Sequence, residues 1–406
     1  MFNVNDIRKD FDMFKNNPNL IYFDNAATTF KPNIVVDAIN NYYRYNTTNI
    51  HRGDYNLSIK VSDQYESTRK TIKKFINCLD EKEIIFTSGA SQALNMIAYG
   101  YQEYINEEDI ILTTKAEHAS NLLPWFKIAQ NKKAIIKYIN LDNNGILDMN
   151  HYKSLLNDKV KVISLAYITN VLGHIVPIKE ITKLAHQYNA IVICDAAQAI
   201  PHKKIDVLDL DIDFLIFSAH KMCGPTGVGV IYGKYQLLDS IQPYNLGGGS
   251  NITFDNCGNI SLKKPPHKFE SGTPNIAGVL GLNASINYLM NIGMDNIEKY
   301  EKQLYQYLIN QLNDIENIVI YNKGCQSSIL TFNIKDIFPQ DVGAYLNKYN
   351  IATRSGNHCA KILNDILNTQ YTNRLSLYFY NTKEEIDYFI KIIKDITLEK
   401  CIDIII

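Results

Sequence analysis

From Glu83 onward the chain alternates short, continuously apolar runs with stretches whose apolar residues recur every three or four positions. The first pattern predicts buried strands over 84–87, 110–114, 134–139, 160–166, 190–194, 214–218 and 229–232. The second predicts helices near 91–104, 121–130, 150–156 and 178–188. Apolar strands separated by helices predict an α/β fold with a mainly parallel, seven-stranded sheet covered on both faces. Ligands of such sheets bind beyond the carboxyl ends of the strands, so the residues at those ends become the candidate site.

The pattern differs on either side of this core. Val4, Ile7, Phe11 and Phe14 are spaced as in one amphipathic helix over 1–16, and Asn17-Pro18-Asn19 ends it. A short strand is expected at 21–23, with helices from Pro32 to Tyr45 and over 62–77. After 232 the alternation stops, and Asn245 to Asn251, with three successive glycines, reads as a linker or a loop approaching a ligand. Residues 275–312 are strongly helical and lead into a smaller α+β unit. Its expected strands are 318–321, 328–334 and 374–378, and its expected helices 339–349 and 382–398. The expected division is a large domain over 20–285 and a small C-terminal domain over 286–406, with the helix in 1–19 packing alongside.

Length and composition narrow the class of function. A chain of 406 residues exceeds one simple core. A formal net charge of -1 gives no electrostatic case for nucleic acid or an anionic membrane. No apolar run approaches the roughly 18 residues needed to span a bilayer. The polar N-terminus reads as a helix, not a signal peptide. The seven cysteines are scattered without a Cys-x-x-Cys pair, so neither a metal site nor a disulfide framework is expected. Together these features predict a cytoplasmic enzyme with reduced thiols.

Each predicted strand ends in something polar. Lys221 follows the run Phe214–Ser218 and precedes Gly224, Pro225 and Gly227. An ammonium there loses hydration, which lowers its pKa and suits a Schiff-base nucleophile; a lysine snorkelling to solvent is the alternative. Ser88-Gly89-Ala90-Ser91 opens a helix and offers backbone N–H groups to a phosphate, or a plain serine cap. Asp195 needs a cation or several donors, which a pyridinium nitrogen or a structural arginine would supply. His118 has the shape to stack on a flat ring, or to be a satisfied structural residue. A phosphate cup, a ring stacker, a pyridinium partner and a nucleophilic lysine on one sheet edge describe a pyridoxal 5'-phosphate site.

Eight ordered motifs make the pattern specific. They are Asp24-Asn25-Ala26-Ala27-Thr28-Thr29, His51-Arg52-Gly53, Glu117-His118, Asn170-Val171-Leu172-Gly173, Asp195-Ala196-Ala197-Gln198, Ser218-Ala219-His220-Lys221, Phe269-Glu270-Ser271-Gly272-Thr273-Pro274 and Arg354-Ser355-Gly356-Asn357-His358-Cys359-Ala360. From about residue 20 to residue 380 the chain resembles the class V aminotransferase family of pyridoxal phosphate fold type I. Within it, the chain is similar to the group II, sulfur-mobilisation (Suf) type of cysteine desulfurase.

The resemblance implies a role for each matching residue. Lys221 matches the lysine that binds the cofactor covalently, His118 the ring-stacking histidine, Asp195 the pyridine-nitrogen partner and Gln198 the side chain near the phenolic oxygen. Ala90, Ser91, Ser218 and His220 fall at the phosphate, with Thr273 supplied across a homodimer interface. Asn170 lies near cofactor and substrate; Arg374, Arg354 and Ala27 lie on the substrate side. An arginine fork suits a carboxylate because it binds bidentately. Cys359 matches the thiol that attacks substrate sulfur, with His358 and Arg354 expected to lower its pKa. The implied reaction converts L-cysteine to L-alanine and leaves a persulfide for a Suf-type acceptor and iron–sulfur cluster assembly. Selenocysteine lyase, another class V lyase or transaminase, and a non-catalytic scaffold are the alternatives. Gln92 stands at a position where the family often has Glu, Ala90 where it often has Thr, and Lys361–Asp365 replaces its proline-containing turn.

Overall fold

The computed structural model describes residues 2–142 and 144–405. Seven strands form the large sheet: β1 (Ile84–Thr87), β2 (Ile110–Thr114), β3 (Ile135–Ile139), β4 (Val160–Ala166), β5 (Ile191–Asp195), β6 (Phe214–Ser218) and β7 (Gly229–Gly233). Their order is β1-β7-β6-β5-β4-β2-β3, and β7 alone runs antiparallel to its neighbours. Helices cover both faces, which is why β2, β5, β6 and β7 are buried at every position. The carboxyl ends of β1, β2, β4, β5 and β6 therefore lie along one edge and carry the residues singled out above.

The edge strand β1 is closed chemically. Its Ile84 carbonyl accepts from Arg69 Nη1 at 2.7 Å, and its Phe86 N–H donates to Glu270 Oε1 at 2.7 Å. Arg69, fully buried, pairs with Glu270 and lies 4.4 Å from the Phe86 ring centroid. The pair occupies backbone groups that an unpaired edge would leave open.

A second, four-stranded antiparallel sheet has the order Ile318–Ile320, Ile329–Ile334, Thr372–Ser376 and Arg354–Gly356. It packs with the helices Met294–Leu312, Pro339–Lys348 and Lys383–Lys394 around a separate core that includes Leu308, Leu330, Phe332 and Phe389. The helix Ile276–Ile292 ends at Gly293, where φ is +90°, and the chain passes between the cores along the next helix, whose Met294 and Ile297 lie in the first core and Leu304 and Leu308 in the second. Residue 285, expected to close the large domain, lies within that helix.

Other expected boundaries shift for physical reasons. The N-terminal segment is two helices, Val4–Arg8 and Asp12–Asn16, because the break turns Phe11 into a cluster with Phe14, Tyr288, Phe379 and Tyr380. The helix expected from 62 starts at Asn56; Leu57 and Ile59 in its first turns are exposed, so burial periodicity does not reveal them. The C-terminal strand expected at 374–378 is Thr372–Ser376, and a hairpin, Asn251–Phe254 with Ile260–Leu262, follows the glycine loop. Its Ile252, Phe254 and Ile260 are exposed, against the usual pattern of a strand with one buried face.

Replacing Arg69 with Met should leave the half-buried Glu270 carboxylate without its guanidinium partner and cost about 3 kcal/mol, the low end for a broken buried pair. Urea unfolding of the variant beside the unsubstituted protein measures this; an unchanged midpoint would mean the pair does not hold the edge.

Candidate active site

The strand ends converge on a cavity of about 190 Å³. Ala27, Ala90, Ser91, His118, Asn170, Asp195, Gln198, Ser218, His220, Lys221, Arg354, Cys359 and Arg374 all line it. Thr273 does not: it lines a separate cavity with Arg52 and His267, its hydroxyl 3.4 Å from Asn49 Nδ2.

Lys221 ends a single helical turn, Ala219–Lys221, directly after β6. Burial lowers its pKa to about 8, against the opposing pull of Asp195. The carbonyl of His220, one residue before it, is gripped by four donors. These are Thr28 Oγ1 at 3.0 Å, Thr29 N at 3.1 Å, Thr29 Oγ1 at 3.2 Å and Lys31 Nζ at 3.1 Å. The small polar run after Tyr22 thus fixes the turn that aims the lysine. Burial likewise holds the His220 imidazole neutral, with a pKa of about 4.

His118 enters from the turn after β2. Its Nδ1 accepts the Ser120 N–H at 3.1 Å, which places the proton of the neutral ring on Nε2. Burial and the neighbouring Lys221 keep its pKa below the ordinary histidine value. The buried Glu117 carboxylate beneath it accepts from Thr114, Asn121 and the Ala166 N–H. Those bonds tie the histidine turn to β4, while burial lifts Glu117 to a pKa of about 7.

At the start of the helix Ala90–Tyr101, Ser218 Oγ accepts the Ala90 N–H at 2.8 Å and Ser91 Oγ lies 2.6 Å from Ser120 Oγ. Gln92 turns back to accept the Ser88 N–H at 2.6 Å, so it caps this helix. Asp195 accepts the Ala197 N–H through Oδ1, and Gln198 donates to the Ala26 carbonyl.

Arg374 reaches the cavity from the second sheet. It is buried, donating to the Asn170 carbonyl at 3.0 Å and to Asp24 Oδ1 at 3.1 Å. Arg354, its cross-strand partner, is exposed at the rim. The part of Asp24 was not assigned from sequence, although its place directly after the first strand and inside a motif was a usable signal.

Cys359 is exposed at the mouth. His358 and Cys359 both have left-handed backbones, φ 49° and 56°, which non-glycine residues adopt uncommonly. The loop is held from outside: the Ala119 N–H donates to the Cys359 carbonyl at 2.7 Å, and Asn170 Nδ2 to the His358 carbonyl at 2.7 Å. His358 does not supply the positive charge expected of it. His358 is buried against Thr372, and burial lowers its pKa to about 3, so it is a neutral ring and no source of positive charge for the thiol.

The lining fits pyridoxal phosphate. Asn170 Oδ1, Gln198 Oε1 and Arg374 Nε are buried polar atoms without a protein partner, and all belong to cavity residues. Such atoms are costly unless something else pairs with them. Serine hydroxyls and a helix N-terminus suit a phosphate, Asp195 a ring N–H and Lys221 an aldehyde carbon.

The aminotransferase class-V family model matches residues 21–389. A probable cysteine desulfurase of Halalkalibacterium halodurans is 41% identical over 393 residues, covering 96% of this chain and 97% of that one. A cysteine desulfurase of Thermococcus onnurineus has a similar structure, with TM-score 0.92 and 35% identity over 96% of this chain and 97% of that one. A cysteine desulfurase of Escherichia coli gives TM-score 0.91 and 30% identity, covering 99% of each. With its matched span, its fold and its lysine-centred cavity in agreement, the chain belongs to the class V aminotransferase family.

Proposed function

We propose that the protein is a pyridoxal phosphate-dependent L-cysteine desulfurase that passes sulfur to a Suf-type acceptor. The observation that carries this reading is that Lys221 and Cys359 line the same cavity. A transaminase needs the first but has no use for the second. In this reading Lys221 would anchor the cofactor, Asp195 would pair with its ring nitrogen, and Ser91, Ser218 and His220 would hold its phosphate, with His118 and Gln198 the residues for its ring and phenolic oxygen. The bound cofactor supplies an electron-withdrawing ring that makes the substrate α-proton and C–S bond labile.

Arg374 holds the substrate carboxylate with the donors that Asp24 and Asn170 leave free, and Arg354 closes over it from the rim. Lys221 Nζ, a free amine above about pH 8, takes the α-proton. Cys359 Sγ then attacks the substrate sulfur. An S–S bond forms, the C–S bond breaks and its electron pair stays on carbon, which becomes the alanine methyl group on taking up a proton. The product on the protein is a Cys359 persulfide.

Delivery is supported by a second opening. Cys359 also lines an outer groove with Leu122, Leu123, Phe126, Lys361 and Ile362, so its terminal sulfur is reachable from outside the cavity. The exposed hairpin side chains and the position of Thr273 support a homodimer in which each copy completes the other's site. Among the described residues no helix is long and apolar enough to cross a membrane, and all seven cysteines are unpaired, which supports a cytoplasmic setting.

Three outcomes test the reading. Cys359→Ser should retain the cofactor's visible absorbance yet release neither alanine nor sulfide from L-cysteine; continued turnover would sink the mechanism. Arg374→Lys should raise the KM for cysteine roughly 10- to 100-fold, the worth of a lost charge-assisted hydrogen bond, in steady-state alanine assays. Loading of stripped protein with pyridoxal phosphate, followed by absorbance, should reach half its maximal rate near pH 8. An ordinary lysine would place that midpoint near 10.4.

A further inference from the structure

The loop after β4 folds back on itself, with the Gly173 N–H bonded to the Thr169 carbonyl at 2.9 Å and Ile168 bridging to Ile175. Its tip points four successive carbonyls at the C-terminal sheet and the loop joining that sheet's strands Ile318–Ile320 and Ile329–Ile334, and each accepts from a side chain there. Asn170 O accepts from Arg374 Nη1 at 3.0 Å, and Val171 O from the Thr331 hydroxyl. Leu172 O accepts from Asn322 Nδ2 at 3.1 Å, and Gly173 O from the Cys325 thiol at 3.4 Å. Thr331 and Asn322 are fully buried, and Asn322 Oδ1 accepts the Thr331 N–H at 3.0 Å, so these two donors brace each other.

The four carbonyls are consecutive while their donors come from positions 374, 331, 322 and 325, so the loop is tied to separate parts of the second sheet at once. The approach is close enough to dictate sequence. Gly173 has φ +66°, and a Cβ there would lie 2.3 Å from Ser327 Oγ and 2.6 Å from Cys325 Sγ.

The far side of the same loop meets the cysteine loop twice. Asn170 Nδ2 donates to the His358 carbonyl, and Val171 and Leu172 pack with Ala360 and Leu363 in a small apolar cluster. The Lys361–Leu363 turn that replaces the family's proline-containing exit is therefore what supplies Leu363 to this contact.

We propose that Thr331, Asn322 and Cys325 form a positioning ladder that sets the height of the Cys359 thiol above the substrate by holding the Asn170–Gly173 loop. The ladder touches no reacting atom. It acts through Asn170 and the Ala360–Leu363 contact, on a loop whose left-handed residues do not hold themselves in place. This deepens the desulfurase reading and rests on it for the meaning of the thiol, not for the mechanical coupling.

The test is Thr331→Val, which removes the donor and keeps the shape, with Thr331→Ser as the conservative rescue. Amide hydrogen exchange is read for the full-length protein before any assay. The valine variant should raise exchange about tenfold in peptides covering 355–363 and 169–174, and leave β5 and β6 unchanged; serine should restore protection. In turnover of L-cysteine, kcat should fall about tenfold with KM changed less than twofold, and serine should recover the rate. Exchange that rises everywhere, or nowhere, would overturn the proposal, because the first marks general destabilisation and the second an absence of coupling. Wild-type protein that releases no alanine while the local exchange pattern appears would defeat the desulfurase reading and leave the coupling established.

Discussion

Removing an ammonium from water at the carboxyl edge of a parallel sheet is the constraint on which the rest of the site depends. Lys221 is the last residue of a one-turn connection, and its pKa falls to about 8 because its amine is desolvated. Desolvation by itself would favour a rotamer that escapes to solvent. The four donors on the His220 carbonyl oppose that escape by fixing the backbone immediately before the lysine. Asp195 supplies the opposing charge within the cavity. Partial burial beside Lys221 likewise lowers the pKa of His118 and His220, so the cavity's positive charge is carried by Lys221 and the two arginines.

Arg374 joins the two cores at this point. It comes from the second sheet yet binds Asp24 at the N-terminal strand and Asn170 at the end of β4. The site is thus not a feature of one domain to which another has been added. Asp24, Asn170 and Arg374 hold one another, and a change in the relative placement of the two cores would separate all three.

The large sheet was legible from sequence because buried parallel strands are apolar at every position, a signal that survives without knowledge of neighbours. The strand ends were legible because polar residues such as Asp195 and Lys221 interrupt those runs abruptly. What sequence did not reveal depends on contacts distant along the chain. Asp24 reads as loop until Arg374, 350 residues later, lies against it. His358 reads as a cation beside a thiol until Thr372 and the surrounding burial make it neutral. The hairpin at Asn251–Phe254 escaped because its apolar side chains face outward, the reverse of the rule by which strands are recognised. Thr273 remains at a distance from the cavity in one copy of the chain, and its proposed role belongs to an assembly of two.

Cys359 borders the inner cavity on one side and the outer groove on the other. A sulfur atom bound to it therefore crosses the protein wall on a single side chain. In the proposed reaction, donor and recipient never need to share a chamber, and the cavity around Lys221 need not admit the recipient at each delivery.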